Sequence, residues 1–377
     1  MENKRKRILD MVKNGKLSTD EALTLLEALD REESGNVEKG EGKTTEQSGR
    51  DGEGQKRFHD PAQNFNETKE KLFDLVGGAL KKIKEFDFQI SQSAEVSHVF
   101  QQHMPEIENI EIDIANGNLT FKQWDQEDVR VECRAKVFRT NDREEARSFL
   151  LNNSTFSIED GRLVFATQSK WMKADTAVYI PAAQYRKIIL STFSGNVQVK
   201  EIQADHLKIK TLHGKVLLER AELEKADIET GNGTVEFDRT VIRQVEAQTM
   251  NGDIRWNGSF GRSDFEAFNG NITVNMASEG DTLHAKTVSG NIEIAIPENT
   301  SVHGEGKTNF GSFAIELEGM EKYEERKEMI QKIARFSRKG ISETELYVFA
   351  DAKTGTITIK EQSTNKHREP EDHGQKA

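Results

Sequence analysis

Cysteine is almost missing from this chain. Cys133 stands alone among 377 residues, which excludes an intramolecular disulfide and any cysteine-rich zinc site. Apolar residues are also scarce, at 34% against 31% charged. That is little core material for the length, so part of the chain is expected to lie outside any packed domain. No apolar run is long enough to span a bilayer. The basic start "MENKRKR" is not followed by an apolar stretch, so no signal peptide is expected. The formal net charge is −12. With no large basic region to set against it, this charge argues against nucleic-acid binding. The expectation is a cytoplasmic protein of two or three domains, associated with a membrane surface or not. Display at the cell surface by a non-standard route is the alternative.

What is present begins with helical patterning. "KRKRILDMVKNG" places Ile8, Leu9, Met11 and Val12 near one face, and Gly15 suits a helix end. "LSTDEALTLLEALD" follows, with Ser18 and Glu21 at capping-box spacing and a stripe of Leu23, Leu26 and Leu29. Residues 1–30 thus predict a helical hairpin too small for a stable core of its own. Its leucine stripe, Leu23, Leu26 and Leu29, is a candidate partner-binding surface. Residues 31–60 are dominated by Glu, Gly, Lys, Ser and Gln and read as a disordered linker. Residues 61–90 predict an amphipathic helix. Leu72, Val76, Leu80 and Ile83 lie on its apolar face, with Lys69, Lys71, Lys81, Lys82 and Lys84 around them. Two readings are open: contact with an anionic membrane through that face, or packing on a neighbouring domain or a second copy.

The remainder repeats itself. Gly195, Gly214, Gly233, Gly252, Gly270 and Gly290 recur every 18 to 20 residues, in phrases such as "TFSGNVQV", "TMNGDIRW" and "TVSGNIEI". A weaker copy, "AKTGTITI", carries Gly355. Five residues before the glycines stand Leu190, Ile209, Ile228, Ala247, Phe265 and Ala285. Three before stand Thr192, Thr211, Thr230, Thr249, Ala267 and Thr287. Two after stand Val197, Val216, Val235, Ile254, Ile272 and Ile292. Period-two spacing on both sides means two short strands, each with one buried face, joined at a glycine turn that needs unusual backbone angles. Columns in register favour a β-solenoid over residues 105–360, in which equivalent residues stack at strand spacing. An antiparallel meander with each glycine at a hairpin tip is the rival. Helical inserts are expected near 142–151 and 318–340, and a disordered tail over 361–377.

Stacked β-coils can host carbohydrate-active enzymes, which need clustered carboxylates on one outer face. No acidic residue is seen to recur at one rung position; Asp205 and Asp227 are out of register, and His206, His213, His284 and His303 are scattered. The glycine phrases do not match the calcium-binding repeat, and no phosphate loop is present. The expectation is therefore a non-enzyme with no catalytic, cofactor or metal residues, and with the seven glycines acting as structural turns.

The N-terminal "ILDMVKNGKLSTDEALTLLEAL", the segment "VYIPAAQYRKIILSTFSGNVQV" and the closing "ADAKTGTITIK", together with the glycine repeats, resemble an adhesin-type β-strand-repeat family. The resemblance is to its YvlB/LiaX-like members from Gram-positive bacteria. It covers nearly the whole chain outside the linker and tail. It implies a non-enzymatic scaffold of the cell-envelope stress response, working beside a membrane stress protein of the phage-shock type or by self-association. The alternative class is a surface or carbohydrate-binding adhesin-like protein that uses aromatics such as Trp124 and Trp171.

Overall fold

The computed structural model describes residues 92–278, 280–341 and 344–362. The chain divides into two units, Met1–His59 and Asp60–Ala377. The first lies entirely outside the described residues, as do the expected helix over 61–90 and the tail from 363 on. The rest is built almost wholly of strands.

The chain enters through β1 (Ser93–His103), then runs β2 (Asn109–Asn116), bends at Gly117, and continues as β3 (Leu119–Trp124). It returns antiparallel as β4 (Asp128–Phe138) and forms α1 (Arg143–Asn152). Then come β5 (Ser154–Glu159), β6 (Arg162–Thr167) and β7 (Met172–Pro181). Regular coils follow, each a longer strand, a glycine bend and a shorter strand. They are β8 (Gln184–Ser194) with β9 (Val197–Lys200), and β10 (Gln203–His213) with β11 (Val216–Glu219). Next are β12 (Glu222–Asn232), β13 (Val235–Asn251), β14 (Ile254–Asn269), β15 (Ile272–Met276), β16 (Thr282–Ser289) and β17 (Ile292–Ile296). The chain closes with β18 (Ser301–Glu316), the hairpin of β19 (Lys322–Lys327) and β20 (Lys332–Arg338), and β21 (Glu345–Glu361).

Successive coils pair in parallel, which decides for the solenoid against the meander. Leu190 pairs with Ile209, Ile209 with Ile228, Ile228 with Ala247, Ala247 with Phe265, and Phe265 with Ala285. On the other side of the bend, Val197, Val216, Val235, Ile254, Ile272 and Ile292 form a second column. Both columns are buried and meet in one continuous core. Their alternation of buried and outward residues is the pleat of a one-sided strand. Within it Phe237, Trp256 and Phe265 pack as tilted rings, with centroids 4.7 Å and 5.6 Å apart.

The glycines allow the bends to stack. A Cβ added to Gly233 would lie 2.0 Å from the carbonyl oxygen of Gly214, and the same holds rung after rung. Gly214 itself has φ +146°, a region that L-residues avoid. Gly233 and Gly270 do not have such an angle. Their requirement is space alone, which corrects the expectation that every turn glycine serves the backbone angle.

Both ends depart from the simple coil. At the N-terminal end β4 lies antiparallel on β7, and β1 lies antiparallel on β4. The expected insert near 142–151 is α1. Asp142 caps it by accepting from the Glu144 and Glu145 amides, and Ala146 and Leu150 pack on Cys133, Ala135 and Met172. The insert expected as helix over 318–340 is instead the β19–β20 hairpin, with β20 antiparallel to β18. The many Glu and Lys residues suggest helix, but Ala334, Phe336 and Arg338 are buried at period two. Pairing with the open edge of β18 overrides propensity. Strand order is also non-sequential. The β2–β3 coil sits between β6–β7 and β8–β9. Likewise β21 sits between β16–β17 and β18.

Candidate functional site

The candidate partner-binding residues Leu23, Leu26 and Leu29 and the candidate membrane-contact residues Leu72, Val76, Leu80 and Ile83 lie outside the described residues. Gly195, Gly214, Gly233, Gly252, Gly270, Gly290 and Gly355 come together as one column along the bend. Beside it run polar ladders. Asn251 Nδ2 donates to Asn232 Oδ1 (2.8 Å), and Asn269 Nδ2 donates to Asn251 Oδ1 (3.0 Å). Where the residue after the glycine is Asn or Asp, it forms another set of rung-to-rung bonds. Asn196 Oδ1 accepts from the Lys215 amide (2.8 Å), Asp253 Oδ1 from the Asn271 amide (3.0 Å), and Asn271 Oδ1 from the Asn291 amide (2.9 Å). Sequence reasoning explained only the residue before the glycine. The signal for this second ladder was the Asn or Asp after it.

The richest chemistry lies on the outward face of the longer strands. Six residues before the bend glycine, β-pairing stacks Lys208, Asp227, Glu246, Asp264, His284, Phe349 and Glu305 in that order. Three carboxylates are thus consecutive in one column, which corrects the expectation that no acidic residue recurs at one rung position. Four residues before the glycine, the column reads Lys210, Glu229, Gln248, Glu266, Lys286, Asp351 and Lys307. This second column mixes both signs and is bonded at two places. Lys210 Nζ meets Glu229 at 2.7 Å, and Lys286 Nζ meets Glu266 at 2.8 Å.

Like charges at strand spacing repel, and each acid is treated differently by its neighbours. Burial works against Asp227, but Lys225 (3.0 Å) and His206 (2.8 Å) hold its carboxyl below the ordinary value. Asp264 has no such pair. Burial pushes it up to about 7, Lys286 opposing the shift and Glu266 and Glu246 adding to it. Its Oδ1 is buried without a hydrogen-bond partner. Burial opposes the charge of Lys286, yet Asp264 and Glu266 hold its pKa above the ordinary value. His284 is lowered by burial and by Lys286. A raised acid beside an ionised one is the pattern of general acid–base pairs. Here, however, Glu266 and Lys286 are each only 5% exposed and occupy one another. The arrangement is a fixed charge ladder.

Other sequence candidates are committed elsewhere. Trp124 donates to the Asp128 carbonyl (2.8 Å) and packs on Tyr179, while the Arg139 guanidinium lies 3.2 Å over the Trp171 ring. Both tryptophans are half-buried, so neither is the open platform expected of a sugar-binding aromatic. Cys133 is buried and its thiol is pushed up to about 11 by burial. An open groove of about 500 Å³ near the N-terminal end of the same face is lined by Glu111, Glu159, Asp160, Arg162 and Lys187. Glu111 and Arg162 pair across it. Among the described residues, no group of three or more His, Cys, Asp or Glu side chains is placed to hold a metal ion. No described helix is long and apolar enough to cross a membrane.

These features define a mostly-β solenoid protein whose outer faces carry ladders of polar and charged side chains. The chain belongs to the Toastrack DUF4097 family, whose profile matches residues 107–360. A SHOCT-like domain profile matches residues 3–34. The chain is 40% identical over 372 residues to the uncharacterized protein YvlB of Bacillus subtilis, covering 96% of this chain and 99% of that one. Among solved structures, a Parabacteroides distasonis protein described as lipid-binding aligns with TM-score 0.40 and 10% identity. That alignment covers 71% of this chain and 96% of the other. A protein of the same organism described as an adhesin aligns with TM-score 0.36 and 11% identity, covering 72% and 98%.

Proposed function

We propose that this protein is a non-enzymatic interaction scaffold of the bacterial cell-envelope stress response. In this reading the solenoid is a rigid display surface and residues 1–30 recruit the partner. The observation that carries it is the outer face, where parallel register holds the partly exposed Lys210, Glu229, Asp351 and Lys307 in one line, on either side of the buried Glu266–Lys286 pair. Such a line offers a partner fixed charges with little side-chain entropy left to lose. The separate SHOCT-like match over residues 3–34 supports a second, independent module. The placement in envelope stress rests on the resemblance of the hairpin, linker and repeat layout, as does a phage-shock-type membrane protein as partner. The work would be done at the cytoplasmic side of the membrane.

The test is capture from native membranes by the full chain and by a chain lacking residues 1–30. The truncated chain is expected to lose the membrane partner, or self-association, while the melting of the solenoid stays unchanged. Leu23→Asp with Leu26→Asp is expected to do the same. Equal recovery of the same partners by the truncated chain would refute the recruiting role. Unfolding of the solenoid on truncation would make those residues structural packing instead.

A further inference from the structure

The β19–β20 hairpin closes through Glu328–Gln331, where the Glu328 amide donates to the Gln331 carbonyl at 2.7 Å. Lys327 and Lys332 are its last paired residues. The apex is therefore Met329-Ile330. Tight hairpin turns favour Asn, Asp and Gly, and a β-branched residue there is no aid to the turn. Nor is either side chain used in packing, since Met329 is 101% exposed and Ile330 76%. A third apolar side chain joins them. Thr308 of β18 pairs antiparallel with Lys332. Phe310, 82% exposed, stands two residues beyond that last pair, and its neighbour Gly311 accepts from Lys332 Nζ at 2.8 Å.

The surroundings of this apolar tip are basic. Between residues 322 and 335 stand Lys322, Arg326, Lys327, Lys332 and Arg335 against Glu324, Glu325 and Glu328. Arg326 also meets Glu324 at 2.6 Å, and Lys332 Nζ donates to the Gly311 carbonyl at 2.8 Å. An apolar apex with a cationic rim matches the boundary between acyl chains and anionic headgroups. It matches a protein partner poorly. A stable protein interface needs about 800 Å² on each side, and three side chains on a projecting turn offer a small fraction of that.

We propose that Phe310, Met329 and Ile330, at the C-terminal cap of the solenoid, form an insertion tip for an anionic lipid surface, with Arg326, Lys327 and Lys332 meeting the headgroups. This site goes beyond the scaffold reading and is separate from the helix expected over 61–90. It orients the solenoid by giving it a membrane-facing end.

The experiment uses the full chain and vesicles of phosphatidylcholine with and without phosphatidylglycerol. Ile330→Cys carries a polarity-sensitive dye; Cys133 is buried and stays unlabelled. The dye is expected to shift to the blue with anionic vesicles, and salt is expected to weaken the shift. In sedimentation, the unlabelled variant Phe310→Ser, Met329→Ser, Ile330→Ser is expected to bind roughly fivefold or more weakly, with unchanged melting because all three residues are exposed. A dye that does not shift overturns the proposal, as does a triple variant that binds as well as the parent. A shift that appears in concentrated protein without vesicles overturns it too, in favour of contact between copies. Capture of partners by residues 1–30 is read separately, so either idea can fail without the other.

Discussion

Gly233→Ala adds one methyl group at the point where two coils touch most closely. The new Cβ would sit 2.0 Å from the Gly214 carbonyl oxygen, where ordinary contact begins at 3.4 Å. Relief requires the two coils to part by about 1.4 Å, a large fraction of a strand spacing of about 4.8 Å. Two bonds cross that gap, Gly214 amide to Asn232 carbonyl and Val216 amide to Thr234 carbonyl, both 2.9 Å. Adding the displacement takes both beyond hydrogen-bond length. Each lost bond costs about 1 kcal/mol net, and more where the donor stays buried and unpaired, so the total is about 4 kcal/mol. The Gly233 backbone angle lies outside the left-handed region, so strain adds nothing. Gly319→Ala is the matched control. Gly319 has φ +68° and nothing within 4 Å of the added atom, so it is expected to lose only about 1 kcal/mol from the angle. Urea unfolding followed by tryptophan fluorescence measures both, and amide exchange near the bend shows whether the coils open locally. If Gly233→Ala lies within about 1 kcal/mol of the parent, or costs no more than Gly319→Ala, the close-approach argument is wrong.

Asp264→Asn tests the stack of acids. The folded pKa of Asp264 is raised, from 3.8 to about 7. Its stabilising contribution is therefore complete below about pH 4 and is lost as pH rises through 7. The variant is expected to gain on the parent across that window, by at most about 4 kcal/mol at pH 8. Thermal melts at pH 4 and pH 8 that give the same difference would refute the shift. Cys133 tests burial at the N-terminal end. With its thiol near 11, about a thousandth is ionised at pH 8. Reaction with a thiol reagent is expected to be slow in the folded protein and to follow unfolding in urea. Rapid native-state labelling would mean that α1 does not cover it.

The coil columns were legible because parallel stacking writes one residue choice at a fixed interval. Leu190, Ile209 and Ile228 are neighbours in space for the same reason that they are 19 apart in sequence. The acid stack was equally present, since Asp227, Glu246 and Asp264 each stand six before a bend glycine. It is hidden because outward positions vary in residue type, while the inward ones repeat one apolar choice. The β19–β20 hairpin was read as helix because Glu and Lys dominate it, and no local pattern announces the edge of β18 that it covers. The interior position of β21 leaves no trace in sequence at all. Every coil has the same register, so any order of coils satisfies the same columns. The fixed charges of Glu266 and Lys286 belong to tertiary geometry for the same reason.

That interior position governs how the protein is made. β21 is the last described strand to leave the ribosome, yet it lies between the coil of β16 and β17 and the strand β18. Until it arrives, β17 and the shorter half of β18 present open edges, the kind of surface on which chains join one another. Coil-by-coil winding during synthesis must therefore stop short of the C-terminal cap. The cap closes only after residues up to Glu361 are free, and Arg338 then reaches the Glu361 carboxylate beside the Thr300 carbonyl. A nascent chain interrupted before β21 would lose the middle of its cap and retain the outside of it. Quality control that senses exposed strand edges would thus meet any copy that stops before β21.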